Sequence, residues 1–167
     1  MNTVLARVSK VINRERKAQN LRSGLLVLVG RLCFSFMFIA AGLNHFTAES
    51  ITMAGAHGVP LASIVVPASG VLSLAGGLSV LIGYRAKLGA WLLALFLVPV
   101  TVTMHRFWGI ADPAMAQWQL IMFLKNVSLL GGALIVTQFG VGPLSLDARR
   151  MRQPAPFQVE ATIIIER

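Results

Sequence analysis

Residues 25–43 read LLVLVGRLCFSFMFIAAGL, an apolar run broken by one charge, Arg31. A helix advances about 1.5 Å per residue, so roughly 20 such residues cross the hydrocarbon of a bilayer. Three more runs follow, from about Leu61 to Ile82, Leu88 to Met104 and Trp118 to Phe139. Glycines recur inside them, at Gly70, Gly76 and Gly77 and again at Gly131 and Gly132. In water these would weaken a helix; in lipid they let backbones approach and pack. Four runs in succession, with hardly any polar face, predict an all-α membrane protein, a four-transmembrane-helix bundle.

Composition agrees. Of the 167 residues 56% are hydrophobic and 13% charged, and mean hydropathy is +0.72. A soluble domain carries roughly a quarter charged residues to solvate its surface. The net charge of +9 would suit nucleic acid, but the cations are not arranged for it. Arg7, Lys10, Arg14, Arg16, Lys17 and Arg22 precede the first run; Arg85 and Lys87 sit between the second and third; Arg149, Arg150 and Arg152 follow the fourth. Only Arg106 falls on the opposite side. Cations gathered this way orient a chain against anionic lipid, which predicts N-in and C-in topology and no nucleic-acid partner.

The organisation expected is a basic cytoplasmic arm (1–23), a membrane domain (24–140) and a cytoplasmic tail (141–167). The first run is too long for a signal-peptide core and lacks a cleavage site, so it reads as a retained signal-anchor. In the arm, Leu5, Val8, Val11 and Ile12 recur at helical spacing between cations. That fits an interfacial amphipathic helix or a solvated basic tail, and both readings stay open. The same holds for ATIII (161–165), which suits a strand or no fixed structure.

Cys33 is the single cysteine, which excludes an intramolecular disulfide and any CxxC motif. No flavin, haem or iron–sulfur motif is present, so electrons for any redox role would come from a partner. The three histidines lack the spacing of a metal site, and none is predicted.

The intramembrane polar residues fall into two layers. The outer one holds Asn44, His45, His57, His105, Arg106, Asp112, Gln117, Gln119, Lys125 and Asn126; the inner one holds Arg31 and Ser73. A cation in hydrocarbon is costly, so Arg31 and Lys125 either turn inward to a partner or snorkel to the nearer interface. For Lys125 the inward partners are Asp112 or helix-end carbonyls. His105, in MHRFW (104–108), is either a helix-end residue beside the belt aromatics Phe107 and Trp108 or part of a site.

Several stretches resemble the DoxX family of bacterial integral membrane proteins: GRLCFSFMFIAAGLNHF (30–46), LAGGLSVLIGYRAKLGAWLLALFL (74–97), MHRFW (104–108) and QWQLIMFLKNVSLLGGALIV (117–136). The resemblance covers about residues 24 to 140. It implies a multi-pass protein of the bacterial inner membrane, linked to oxidoreductases or quinones. Many DoxX members carry an acidic residue where this chain has Ser73, which implies that Arg31 has lost a counter-ion.

Two functions follow as expectations. The first is an accessory or anchoring subunit of a larger, redox-linked membrane complex, whose partners are the lipid bilayer, other membrane or redox subunits, or further copies of itself. The second is a quinone-interacting subunit. Quinone binding needs donors to two carbonyls, a proton route and an apolar slot. His105, Lys125 and Asn126 supply donors, Asp112 a proton path and Trp108 a ring contact, with Asn44 and His45 in the same layer. No catalytic residue is assigned.

Overall fold

The computed structural model describes residues 2–151, with side chains from residue 10 onward, Val11 excepted. The readings made for residues 152–167, and for the apolar spacing of the arm before Ile12, lie outside the residues and side chains described.

Six helices account for nearly all of the described chain: α1 (Asn2–Asn44), α2 (Ala48–Ala56), α3 (Ala62–Ile82), α4 (Ala86–Met104), α5 (Pro113–Phe139) and α6 (Leu146–Met151). Four are long and apolar enough to cross a membrane: Ile12–Asn44 within α1, then α3, α4 and α5, with mean hydropathies of 2.1, 1.9, 1.8 and 1.8. Their outward faces are apolar too, Leu26, Phe36, Leu95 and Ile135 among them, each more than 60% exposed. No aqueous surface tolerates such a girdle, so the chain is a multi-pass membrane protein. α1 runs on without interruption through the basic arm.

Two elements differ from the sequence reading. The first loop contains α2, whose N-cap Thr47 accepts a hydrogen bond from Ser50 N at 3.2 Å. The fourth span starts five residues earlier than Trp118, because Asp112 caps it through Ala114 N (3.0 Å) and Pro113 takes the first helical position, where a missing N–H costs nothing.

α1 packs on α3, α3 on α4, and α4 on α5. Two reciprocal glycine contacts set the first two spacings. A Cβ on Gly42 would lie 3.0 Å from Gly70 O, and one on Gly70 would lie 2.9 Å from Gly42 O. Between α3 and α4, a Cβ on Gly76 would meet Gly89 O at 2.8 Å, and one on Gly89 would meet Gly76 O at 3.1 Å. Each glycine thus admits its partner's carbonyl, the contact by which small residues join membrane helices. Ser73 adds a bond across α1 and α3, donating to Phe38 O at 2.8 Å. The core gathers beside these contacts, with Phe38, Val80, Ala90, Leu93, Phe96, Leu97 and Ala133 at its centre. α5 is held more lightly: Asn126 and Ala133 are its only fully buried residues, and the Phe34 ring of α1 reaches it over Gly132.

Arg31 corrects one expectation. Its guanidinium has not lost a partner; it donates to Val80 O (3.0 Å), to Leu81 O and to Leu144 O (3.1 Å). The cation therefore sits at the C-terminal end of α3, where the helix dipole is negative and carbonyls are unpaired. The complementary arrangement lies beside it. The Asp147 carboxylate accepts from Arg85 N and Ala86 N, both at 2.9 Å, at the start of α4. Asp147→Ala is expected to destabilise the fold by about 1–2 kcal/mol, the usual worth of such a cap. Thermal unfolding in detergent measures this, and an unchanged midpoint would contradict it.

Candidate functional site

The end of the bundle formed by the α1–α3 and α4–α5 connections brings four of the predicted site residues together. Gly70 makes the first placement possible: its absent side chain leaves room for the His45 Cβ, which would stand 2.8 Å from a Cβ there. The His45 ring then lies 5.4 Å from the Phe96 ring, with Nδ1 2.8 Å from Ser69 Oγ. The Ser69 hydroxyl donates its own proton to Val66 O at 2.7 Å, so His45 Nδ1–H is the donor in that pair and Nε2 keeps the lone pair. Burial holds the His45 pKa below its ordinary value, against a backbone hydrogen bond to Val66 that raises it.

His105 ends α4, and its Nδ1 donates to Gln119 Oε1 at 2.9 Å, which ties the end of α4 to α5. Lys125 and Asn126 follow on α5, about 10 Å further along the axis. His45, His105, Lys125 and Asn126 line one cavity of about 130 Å³, closed by Phe38, Phe96, Leu97 and Leu129. Asn126 is 5% exposed. Among the described residues neither its amide nor the Lys125 ammonium makes a side-chain hydrogen bond. The Asn126 amide opens onto the cavity, where a water or a bound group can pair it; the one fully buried side-chain polar atom without a partner among the described residues is Ser35 Oγ.

A second, wider cavity of about 660 Å³ adjoins this one, with His105 in both walls. It is lined by His57, Asp112, Trp118 and Gln119 and by four methionines, Met53, Met104, Met115 and Met122. The wider one, an open mouth, and the narrower polar one share His105 in their linings.

Three predicted members lie elsewhere. Asn44 is exposed and donates through Nδ2 to Ser50 Oγ (3.0 Å) in the turn to α2. Trp108 packs edge-on against Phe107 and Phe123, at 5.2 and 6.1 Å, and is half exposed. Asp112 lines the wide mouth but spends its carboxylate capping α5; thirteen residues from Lys125, or about 20 Å along the helix, it cannot neutralise that cation. Among the described residues no three of His, Cys, Asp or Glu gather closely enough to hold a metal ion. Ser69 and Phe96, which orient His45, went unremarked in the sequence because both sit inside apolar runs. Ser69 at least stands three residues from Val66 on one face of α3.

The model of the SURF4 family matches residues 5–152. The ER-derived vesicles protein ERV29 of Saccharomyces cerevisiae is 28% identical over 127 residues, 76% of this chain and 34% of ERV29, so the chain spans about a third of that relative's length. The inner membrane protein YqjF of Escherichia coli is 27% identical over 121 residues, covering 72% of this chain and 88% of YqjF. The inner membrane protein YphA of the same organism is 24% identical over 127 residues, covering 75% and 90%. No solved structure matches. The resemblance to DoxX is therefore corrected. Its motifs were glycine steps, a basic turn and polar helix ends, which follow from packing four helices in lipid and do not single out one family. With residues 5–152 accounted for by one family model, the chain belongs to the SURF4 family and is a small integral membrane protein of it.

Proposed function

We propose that the protein is an accessory subunit of the bacterial inner membrane that holds a small acceptor-bearing group at the outer ends of α1, α4 and α5. The observation that carries this reading is the 130 Å³ cavity in which Lys125 and the nearly buried Asn126 present donors that no described residue accepts. Lys125 offers three N–H groups and Asn126 two, a set suited to carboxylate, carbonyl or phosphate oxygens. The Nε2 atoms of His45 and His105 supply acceptors for any proton on the same group. The location is supported by YqjF and YphA, both inner membrane proteins matched over most of their length. N-in and C-in topology is supported by Arg85, Lys87, Arg149 and Arg150, which share one end of the bundle.

The accessory role is supported by the arm. From Lys10 to Arg22 the described side chains of α1 are exposed, and five more cations lie among them: Lys10, Arg14, Arg16, Lys17 and Arg22. A helix that leaves the bundle with a basic surface and no internal packing suits a docking element for another subunit.

The wide mouth favours a second reading, an amphiphile such as a quinone. The inner cavity alone is smaller than the roughly 300 Å³ of an ordinary ligand pocket, but the 660 Å³ mouth is not. Its methionines and Trp118 offer an apolar slot, and His105 Nε2 an acceptor at its end.

One preparation tests both readings. The full chain is purified in mild detergent and its co-purifying small molecules are extracted and identified by mass. About one acceptor-bearing ligand per chain is expected, falling at least tenfold in a Lys125→Met variant that keeps its helicity. A ligand retained undiminished in that variant overturns the site. Quinone at no more than the level of bulk membrane lipid removes the second reading.

A further inference from the structure

The opposite end of the bundle carries a separate cavity, of about 570 Å³, between the start of α4, the end of α5 and α6. Arg85, Lys87 and Arg150 line it, against the single carboxylate of Asp147. That carboxylate already accepts from two backbone N–H groups of α4. The cations are also held close together. The Arg150 and Arg85 guanidinium carbons lie 4.6 and 5.9 Å from the centroid of the same Tyr84 ring, and Lys87 Nζ donates to Gln138 O at 2.7 Å, which uses one of its three N–H groups.

Like charges assembled around one hollow repel unless an anion joins them. The rest of the wall says what kind of anion. Phe139 and Met151 flank the cavity and are 79% and 81% exposed, the two most exposed large apolar side chains among the described residues. A cationic hollow at a helix end, with bare apolar surface beside it, matches a ligand that is phosphate at one end and hydrocarbon at the other.

We propose that this cavity seats the phosphate of an anionic phospholipid, with its acyl chains along Phe139 and Met151. The site is distinct from the polar cavity at the other end and does not depend on what that cavity holds.

Native mass spectrometry of the full chain in detergent tests the proposal, with phosphatidylglycerol and phosphatidylethanolamine of identical acyl chains as probes. Wild type is expected to retain the anionic lipid at concentrations at least tenfold lower than the zwitterionic one. A cation near the membrane surface is worth about fivefold in binding, so Lys87→Gln/Arg150→Gln should abolish that preference. Arg14→Gln/Lys17→Gln removes the same charge from the exposed part of α1 and should leave the preference intact. If the first double variant fails to fold, Arg150→Gln alone, which loses only a ring contact, should weaken retention about fivefold. Equal retention of the two lipids by wild type overturns the proposal, as does a preference that survives at Lys87/Arg150 or vanishes equally at Arg14/Lys17. Millimolar inorganic phosphate should not displace the lipid; full displacement would make this a free-anion site.

Discussion

Arg31→Met is expected to be the most damaging single substitution in the bundle, lowering stability by about 4 kcal/mol. The side chain is 5% exposed and donates to three carbonyls, two at the end of α3 and one at Leu144. Methionine fills much of the volume and returns none of the bonds. Three acceptors are then left in a low-dielectric region, each costing about 1–3 kcal/mol less whatever water reaches them. Arg31→Lys should recover part of the loss, because an ammonium is a point donor that cannot span three carbonyls as the planar fork does. Unfolding in mixed micelles followed by tryptophan fluorescence gives the comparison. A loss below about 1 kcal/mol for methionine would mean that the carbonyls find other partners or water.

Gly76→Val should come next, at about 3 kcal/mol. Its Cβ would stand 2.6 Å from Leu93 Cδ2 and 2.8 Å from Gly89 O. Leu93 can change rotamer. The Gly89 carbonyl belongs to a helical backbone and moves only if α4 moves, which would loosen the core around Leu93 and Leu97. The control is Gly131→Ala: nothing lies within 4 Å of a Cβ there, so alanine should gain about 0.5–1 kcal/mol through better helix propensity. Equal effects at the two glycines would show that close approach between α3 and α4 is not what Gly76 provides.

The spans were legible in the sequence because length and hydropathy alone define them. Helix starts were less so, although Thr47 with Ser50 and Asp112 with Pro113 carry ordinary cap signals that the surrounding apolar runs obscured. The site was legible as a layer but not as a face. Asn44 and His45 share a depth, yet adjacent helical residues point about 100° apart, so one joins the α2 turn and the other the cavity. Arg31 was misread for a different reason: its partners are backbone carbonyls, and a search for an acidic side chain cannot find them. Asp147 was hidden by distance, meeting the start of α4 from some sixty residues away. The DoxX likeness failed because packing motifs report how helices touch, and many families solve that problem alike.

The light seating of α5 bears on how the polar cavity comes to exist. Of its 27 residues only Asn126 and Ala133 are fully buried, and its main neighbour is α4. Lys125 and Asn126 ride on that helix, whereas His45 belongs to the glycine-locked pair of α1 and α3. The donors therefore reach the pocket from a helix that the glycine contacts do not fix, so the width of the pocket depends on how α5 packs against α4. A ligand touching both His45 and Lys125 would tie α5 to the glycine-locked pair.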